Sequence, residues 1–262
     1  MSEYPAQLYA AVHHGNPGDV AFYQARCADA KLVVELGCGD ARVLASLAEF
    51  GSMAGRTLIG VDIDPELLEL ARARLAAAGV DPSAVELIAA DMTTVELGAH
   101  AGRVDRVILP YGGLYCLLTP AAVDATLRRA ASLLAPDGLL ILDAWAADGF
   151  HAEADPDDQD PSWLEIVGAV EIDGERWEVL ERSAWDKPSQ RIDATYLHFR
   201  VGDEEPVPVE GKLPQRYVLA EQLRASLAAA GLELVELLAD FDGAAYGPDA
   251  ELMIAVARRR HD

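Results

Sequence analysis

The segment Leu32-Val33-Val34-Glu35-Leu36-Gly37-Cys38-Gly39-Asp40-Ala41-Arg42-Val43-Leu44 limits what this chain can fold into more than any other. A short β-branched run ends at an acidic residue, two glycines follow at alternate positions, and a helical apolar pattern begins. That is the pattern of a strand, a tight turn and a helix, the unit through which backbone approaches a nucleoside closely. Leu58-Ile59-Gly60-Val61-Asp62 is a second short strand ending in a carboxylate, at the distance where such folds place the acid that holds ribose hydroxyls. The loop departs from a dinucleotide fingerprint. The third glycine of G-x-G-x-x-G falls on Arg42, and Asp40 puts a carboxylate where a pyrophosphate would approach the helix N-terminus. A nucleoside cofactor without phosphate fits this loop better.

S-adenosylmethionine is such a molecule, and its sulfonium is positive. On these residues the chain resembles the class I S-adenosylmethionine-dependent methyltransferases. The resemblance covers residues 20–145 motif by motif and the rest more loosely. Glu35-Leu36-Gly37-Cys38-Gly39-Asp40 resembles their first motif, with Ala41 in place of its last glycine. Gly60-Val61-Asp62-Ile63-Asp64 resembles the second, and Ala90-Asp91-Met92 the acidic turn that contacts adenine. Ile108-Leu109-Pro110-Tyr111-Gly112 is similar to the segment after the fourth strand, which lines the methyl-transfer site. Leu134-Ala135-Pro136-Asp137-Gly138-Leu139-Leu140 is similar to the turn before the fifth. A β insert after strand five, Tyr217-Val218-Leu219 and Ala230-Gly231-Leu232 resemble the small-molecule branch, which includes glycine and amino-sugar N-methyltransferases.

The expected fold is α/β, a doubly wound Rossmann-like sheet of seven mostly parallel strands with an antiparallel last strand, plus a small antiparallel insert after strand five. Residues 1–30 read as a helical lid of two short helices, Leu8, Tyr9 and Val12 sharing one face and Asp19 capping the second helix. Residues 31–150 form the cofactor-binding core, with strands over 32–36, 57–61, 84–88, 104–109 and 139–142 and a turn at Pro136-Asp137-Gly138. Asp64-Pro65 and Thr119-Pro120 start helices cap first, with proline at the first helical position. Residues 151–214 are the insert that covers the substrate. After an acidic loop ending at Pro161 come three extended stretches, 164–170, 176–185 and 191–201, with an Asp173-Gly174 hairpin and then a linker marked by Pro206, Pro208 and Pro214. Residues 215–262 complete the core sheet with a helix and a final hairpin, 232–238 and 252–257.

At 262 residues, 51% of them hydrophobic, the chain can fill one large α/β domain with a small cover. No apolar run is long enough to span a bilayer, and Met1-Ser2-Glu3-Tyr4-Pro5 lacks the basic start of a signal peptide. Cys27, Cys38 and Cys116 show no C-x-x-C spacing and read as buried structural thiols in a reduced, cytoplasmic interior. A net charge of −23 makes nucleic acid and acidic membrane poor partners and favours a cationic cofactor and a cationic amine acceptor. Arg258-Arg259-Arg260 reads as a solvated tail. The expected partner is a small-molecule acceptor, and a monomer and a homodimer suit the sequence equally.

Methyl transfer is an in-line displacement, so the residues to find are mainly those that hold two ligands. The resemblance assigns Glu35, Gly37, Cys38 (through backbone) and Gly39 to the methionine moiety, and Asp62 to the ribose. It assigns Ile63, Asp91 and Met92 to the adenine and places Pro110 in the segment that lines the methyl-transfer site; Tyr9 either closes over the cofactor as part of the lid or packs in the core. Arg42 pairs either with the cofactor carboxylate or with Glu35. Tyr111 and Tyr115 follow strand four, where the acceptor lies. Either orients it, faces the sulfonium by cation–π attraction or accepts a proton, or else packs in the core. Tyr4 and Tyr23 either join the lid or pack, and Trp145 either walls the pocket or fills the core. Among histidines, the base type for neutral pH, His14 and His151 are the candidates, ahead of His13; His100 and His198 look peripheral and His261 lies in the tail. Asp143 is followed by Ala144 rather than Asn, so no metal is expected. The reading is a methyltransferase acting on nitrogen or oxygen of a small molecule. The alternatives are a non-catalytic S-adenosylmethionine-binding regulator and a protein or RNA methyltransferase.

Overall fold

The computed structural model describes residues 3–50, 55–160, 162–205 and 207–260. Met1, Ser2, Pro161, Pro206 and His261, mentioned above, lie outside them. Two short helices, α1 (Ala6–Val12) and α2 (Asp19–Arg26), precede the first strand. Gly18, with φ 88°, is the N-cap of α2. Asp19 is therefore not the cap the sequence suggested: it is the first helical residue, buried, and it spends its carboxylate on Arg42.

Strands and helices then alternate: β1 (Leu32–Leu36), α3 (Arg42–Glu49), β2 (Thr57–Asp62), α4 (Pro65–Ala77), β3 (Val85–Ala89), β4 (Val104–Leu109), α5 (Pro120–Leu133) and β5 (Leu134–Trp145). The expected caps form. The Asp64 carboxylate accepts from the backbone of Glu66 and Leu67, and the Thr119 hydroxyl from Ala122. β5 is longer than expected, because Pro136-Asp137-Gly138 bends within the strand instead of ending before it, at a register shift opposite Val104. Glycine is required at this bend, since a Cβ on Gly138 would lie 2.6 Å from the Val104 carbonyl oxygen.

After α6 (Asp148–Glu153) the chain builds a separate antiparallel sheet of four strands, β6 (Glu165–Ile172), β7 (Glu175–Asp186), β8 (Arg191–Arg200) and β9 (Val209–Arg216), in that order. β9 corrects the expected linker. It pairs with β8 alone, so Pro214, opposite Asp193, sits on an edge strand where a missing N–H breaks no ladder. α7 (Ala220–Ala229), β10 (Leu232–Leu238) and β11 (Leu252–Arg259) close the large sheet, ordered β10-β11-β5-β4-β1-β2-β3 with β11 antiparallel to both neighbours. Arg258 and Arg259 belong to β11 rather than to a tail, and Arg258 pairs with Glu233.

Both faces of the large sheet are covered, which is why its central strands read as nearly unbroken apolar runs. Val33 and Ile108 pack with Leu44, Leu47 and Leu68 on the α3–α4 side; Val34 and Leu36 pack with Leu127 and Leu223 on the α5–α7 side. A third cluster joins Tyr4, Leu8 and Val12 to Val179, Ala194 and Tyr196 of the small sheet. His198, expected at the periphery, is wholly buried in that junction, its Nε2 3.1 Å from the Tyr4 hydroxyl. Chain order reverses between β1 and β4, so their carboxyl ends diverge into a crevice. Among the described residues no helix is long and apolar enough to cross a membrane.

Candidate active site

The turn after β1 is stitched to the end of β2. The backbone N–H groups of Gly37 and Cys38 both donate to the Val61 carbonyl, at 2.7 and 3.0 Å. The Asp62 carboxylate accepts from Gly39 N–H at 2.7 Å and from Asp64 N–H at 2.9 Å. Gly37, at φ +73°, adopts a left-handed conformation that favours glycine, and a Cβ there would meet the Met92 side chain at 3.1 Å. Ala41 carries φ 59° at the N-cap of α3, so the alanine in the family's glycine position keeps the glycine-like backbone at some strain.

Beside this turn lies a cavity of about 770 Å³. Every residue assigned above to the cofactor lines it: Tyr9, Glu35, Gly37, Cys38, Gly39, Asp62, Ile63, Asp91, Met92 and Pro110, together with Tyr111. Its charge is lopsided. Glu35, Asp40, Asp62, Asp64 and Asp91 face it, whereas Arg42 is the cationic side chain among the described lining residues. Arg42 is already engaged by Asp19, its two guanidinium nitrogens 3.0 and 2.5 Å from the two carboxylate oxygens, a partner the sequence reading did not weigh. Asp40 pairs with Arg74. Glu35 Oε2 is buried with no hydrogen-bond partner. Burial pushes the Glu35 carboxyl well above the usual range, opposed by the charge of Arg42 and the N–H of Leu44. Burial likewise raises Asp62.

These residues suit S-adenosylmethionine. An acidic wall with an orphaned carboxyl oxygen matches a ligand bearing a sulfonium and an ammonium, and rejects a pyrophosphate. The Asp62 oxygens accept backbone bonds from Gly39 and Asp64 and keep accepting capacity for a hydroxyl.

The opposite wall is aromatic. Tyr4 and Tyr9 flank His13 at ring-centroid distances of 5.6 and 4.4 Å, Tyr196 of β8 lies 5.0 Å from it and Tyr111 6.3 Å. Tyr111 holds φ 53° because its N–H donates to the buried Asp143 carboxylate at 3.0 Å. Tyr23 donates to the same oxygen at 2.6 Å, and burial raises Asp143 to about 6. Tyr23 is thus a brace beneath the site and not part of a lid. The insert reaches the cavity through Tyr196, Leu213 and Gln215, and Trp145 lines it as well.

Three candidate catalytic residues lie elsewhere. Tyr115 is fully buried, its hydroxyl 2.8 Å from the Trp145 carbonyl and 3.1 Å from that of Val218, which makes it a core strut. His14 folds back so that Nδ1 lies 2.8 Å from the Val12 carbonyl. His151 Nδ1 lies 2.8 Å from the Tyr217 hydroxyl, linking α6 to the segment before α7. The histidine at the cavity is His13. The i, i+4 spacing from Tyr9 was the available signal, since it puts both rings on one helix face. Cys27 and Cys38 are buried as expected, but Cys116 is exposed at the cavity wall.

A family model described as a methyltransferase domain matches residues 33–138. A dTDP-3-amino-3,6-dideoxy-alpha-D-glucopyranose N,N-dimethyltransferase from Streptomyces fradiae is 27% identical over 201 residues, covering 73% of this chain and 69% of that protein. The CcbJ methyltransferase from Streptomyces caelestis superposes with a TM-score of 0.76 over 100% of both chains at 25% identity. CalS10, an amino pentose methyltransferase from Micromonospora echinaspora solved with S-adenosylmethionine bound, shares the fold with a TM-score of 0.68 at 22% identity, over 95% of this chain and 94% of that one. With these motifs in order along one crevice and a methyltransferase domain over residues 33–138, this chain is an S-adenosylmethionine-dependent methyltransferase.

Proposed function

We propose that the enzyme methylates the amino group of a sugar-like small molecule that carries no phosphate. The observation that carries this reading is the cage of Tyr4, Tyr9, His13, Tyr111 and Tyr196 facing an acidic wall. Aromatic faces and carboxylates both attract cations, so the cavity draws in an ammonium and offers little to a neutral alcohol. The relatives named above act, by their names, on an amino sugar and an amino pentose. One of those substrates is nucleotide-linked. Here the single cationic side chain among the described lining residues is held by Asp19, which favours an acceptor without a diphosphate.

S-adenosylmethionine supplies a methyl group on positive sulfur. The chain's own contribution is to hold two ligands in line, which in favourable intramolecular cases is worth about 7–11 kcal/mol. Glu35 with the Gly37–Gly39 turn receives the methionine end, Asp62 the ribose, and Ile63, Asp91 and Met92 the adenine. Tyr9 and Pro110 flank them, and Tyr111 borders the acceptor. The bound ammonium first loses a proton to solvent; the freed amine lone pair then forms the new N–C bond as the C–S bond breaks, its electron pair passing to sulfur. The product ammonium then sheds a proton to solvent. Cys27, Cys38 and Cys116, all free thiols, support action in the reducing cytoplasm.

Mass spectrometry on a panel of free amino sugars, matched alcohols and dTDP-3-amino-3,6-dideoxyglucose tests the reading. Methyl gain on the free amines is expected. Turnover of the alcohols alone, or of the nucleotide-linked sugar alone, would defeat it.

A further inference from the structure

The reaction just proposed needs a nitrogen that arrives with its lone pair aimed at the methyl carbon, and most polar groups near such a nitrogen would spoil that. A tyrosine hydroxyl can donate its proton to the lone pair and block the nucleophile, while a cationic side chain would repel an ammonium. An atom that can only accept is required, because it binds an N–H and leaves the lone pair alone.

One atom in the aromatic cage has that character. His13 sits among Tyr4, Tyr9, Tyr111 and Tyr196, and its Nε2 is buried with no hydrogen-bond partner. Three of the groups nearby are occupied. The Tyr196 hydroxyl bonds to Glu181, the Tyr4 hydroxyl to His198, and His198 Nδ1 faces the Val209 carbonyl. A buried, unpartnered nitrogen is costly unless a ligand satisfies it. We infer that His13 is a positioning residue for the acceptor: with its proton on Nδ1, it accepts an N–H from the nucleophilic nitrogen at Nε2 and so turns the lone pair toward the methyl group. This rests on the amine reading above. Burial lowers His13 to about 4, so the ring stays neutral at physiological pH and presents a bare lone pair. It is accordingly not a general base, and its role is geometric.

The test needs no knowledge of the acceptor. In sinefungin an amine-bearing carbon replaces the methyl-bearing sulfonium of the cofactor, so its ammonium points into the acceptor space; S-adenosylhomocysteine has nothing there. Calorimetry of both ligands with the wild type and with His13→Phe, His13→Met and His13→Gln separates the outcomes. Phe keeps a ring, Met fills similar volume, and neither has the acceptor; Gln keeps one. The expected result is a loss of about tenfold or more in sinefungin affinity for Phe and Met, near-wild-type sinefungin affinity for Gln, and S-adenosylhomocysteine affinity within about twofold throughout. Parallel loss of both ligands, or no loss of either, would overturn the role of His13 while leaving the transferase reading intact. Failure of the wild type to bind either ligand would overturn both readings.

Discussion

Asp62 and Glu35 sit near the carboxyl ends of paired strands and burial raises both, yet their hydrogen bonding differs. Asp62 is satisfied by backbone donors and keeps accepting capacity for a hydroxyl, so its removal costs the ligand a charge-assisted hydrogen bond of roughly 1.5–3 kcal/mol. Asp62→Ala should weaken S-adenosylhomocysteine binding by roughly tenfold to a hundredfold, measured by calorimetry on a variant whose far-UV spectrum matches wild type. Unchanged affinity would remove Asp62 from the ribose. Glu35, by contrast, has an orphaned oxygen and a carboxyl raised by burial. A cation in the cavity favours its charged form, so binding expels a proton wherever the free protein holds one. Affinity for S-adenosylmethionine should therefore rise with pH until Glu35 is ionised in the free protein, and then level off. Proton release should show as a dependence of binding enthalpy on buffer, and Glu35→Gln should abolish both effects. These two carboxylates were legible in the sequence because one precedes the Gly37–Gly39 turn at the close of β1 and the other ends β2. His13 is only half legible: its i, i+4 spacing from Tyr9 puts the two rings on one face, but which ring meets the insert depends on a sheet built from distant segments.

The elements show where local pattern suffices and where it does not. The parallel strands and their capped helices follow from short-range chemistry: β-branched runs, Asp64-Pro65, Thr119-Pro120, and glycine at turns. β9 escaped because Pro214 argues against a strand, an argument that holds for a central strand and fails at an edge. Tyr196 escaped as well, for its place at the cavity depends on a sheet folded from distant segments. α1 packs on that sheet through Leu8 and Val12, and Tyr4, just before the helix, makes the tightest approach. A Cβ on Gly211 would fall 2.2 Å from a ring carbon of Tyr4, and the Lys212 N–H donates to the Glu3 carbonyl at 3.2 Å alongside. Gly211→Ala should force Tyr4 off β9 and cost about 1–3 kcal/mol. Hydrogen exchange should speed up over Ala6–Val12 while the amides of β1 and β4 stay protected. Equal protection of α1 in the two proteins would mean that this contact does not hold the helix.

For the whole molecule the dominant fact is a net charge of −23, and the cavity lining is acidic as well. Such a field does little for fold but biases which ligands arrive and stay. S-adenosylmethionine carries one more positive charge than S-adenosylhomocysteine, and the two otherwise present the same adenosine and amino-acid groups. The difference between their affinities therefore isolates the electrostatic contribution. Salt shortens the Debye length from about 30 Å at 0.01 M to about 3 Å at 1 M, so only the long-range part of the attraction is screened, while Glu35 in its buried position is screened much less. Raising sodium chloride across that range should weaken S-adenosylmethionine by roughly threefold to tenfold and leave S-adenosylhomocysteine nearly unchanged. The donor would then bind preferentially at low salt and the spent cofactor would leave more readily, an asymmetry in the direction turnover requires. Parallel salt dependence of the two ligands would place the discrimination in short-range contacts at Glu35 and the aromatic cage, and would leave the acidic surface without a part in choosing the donor.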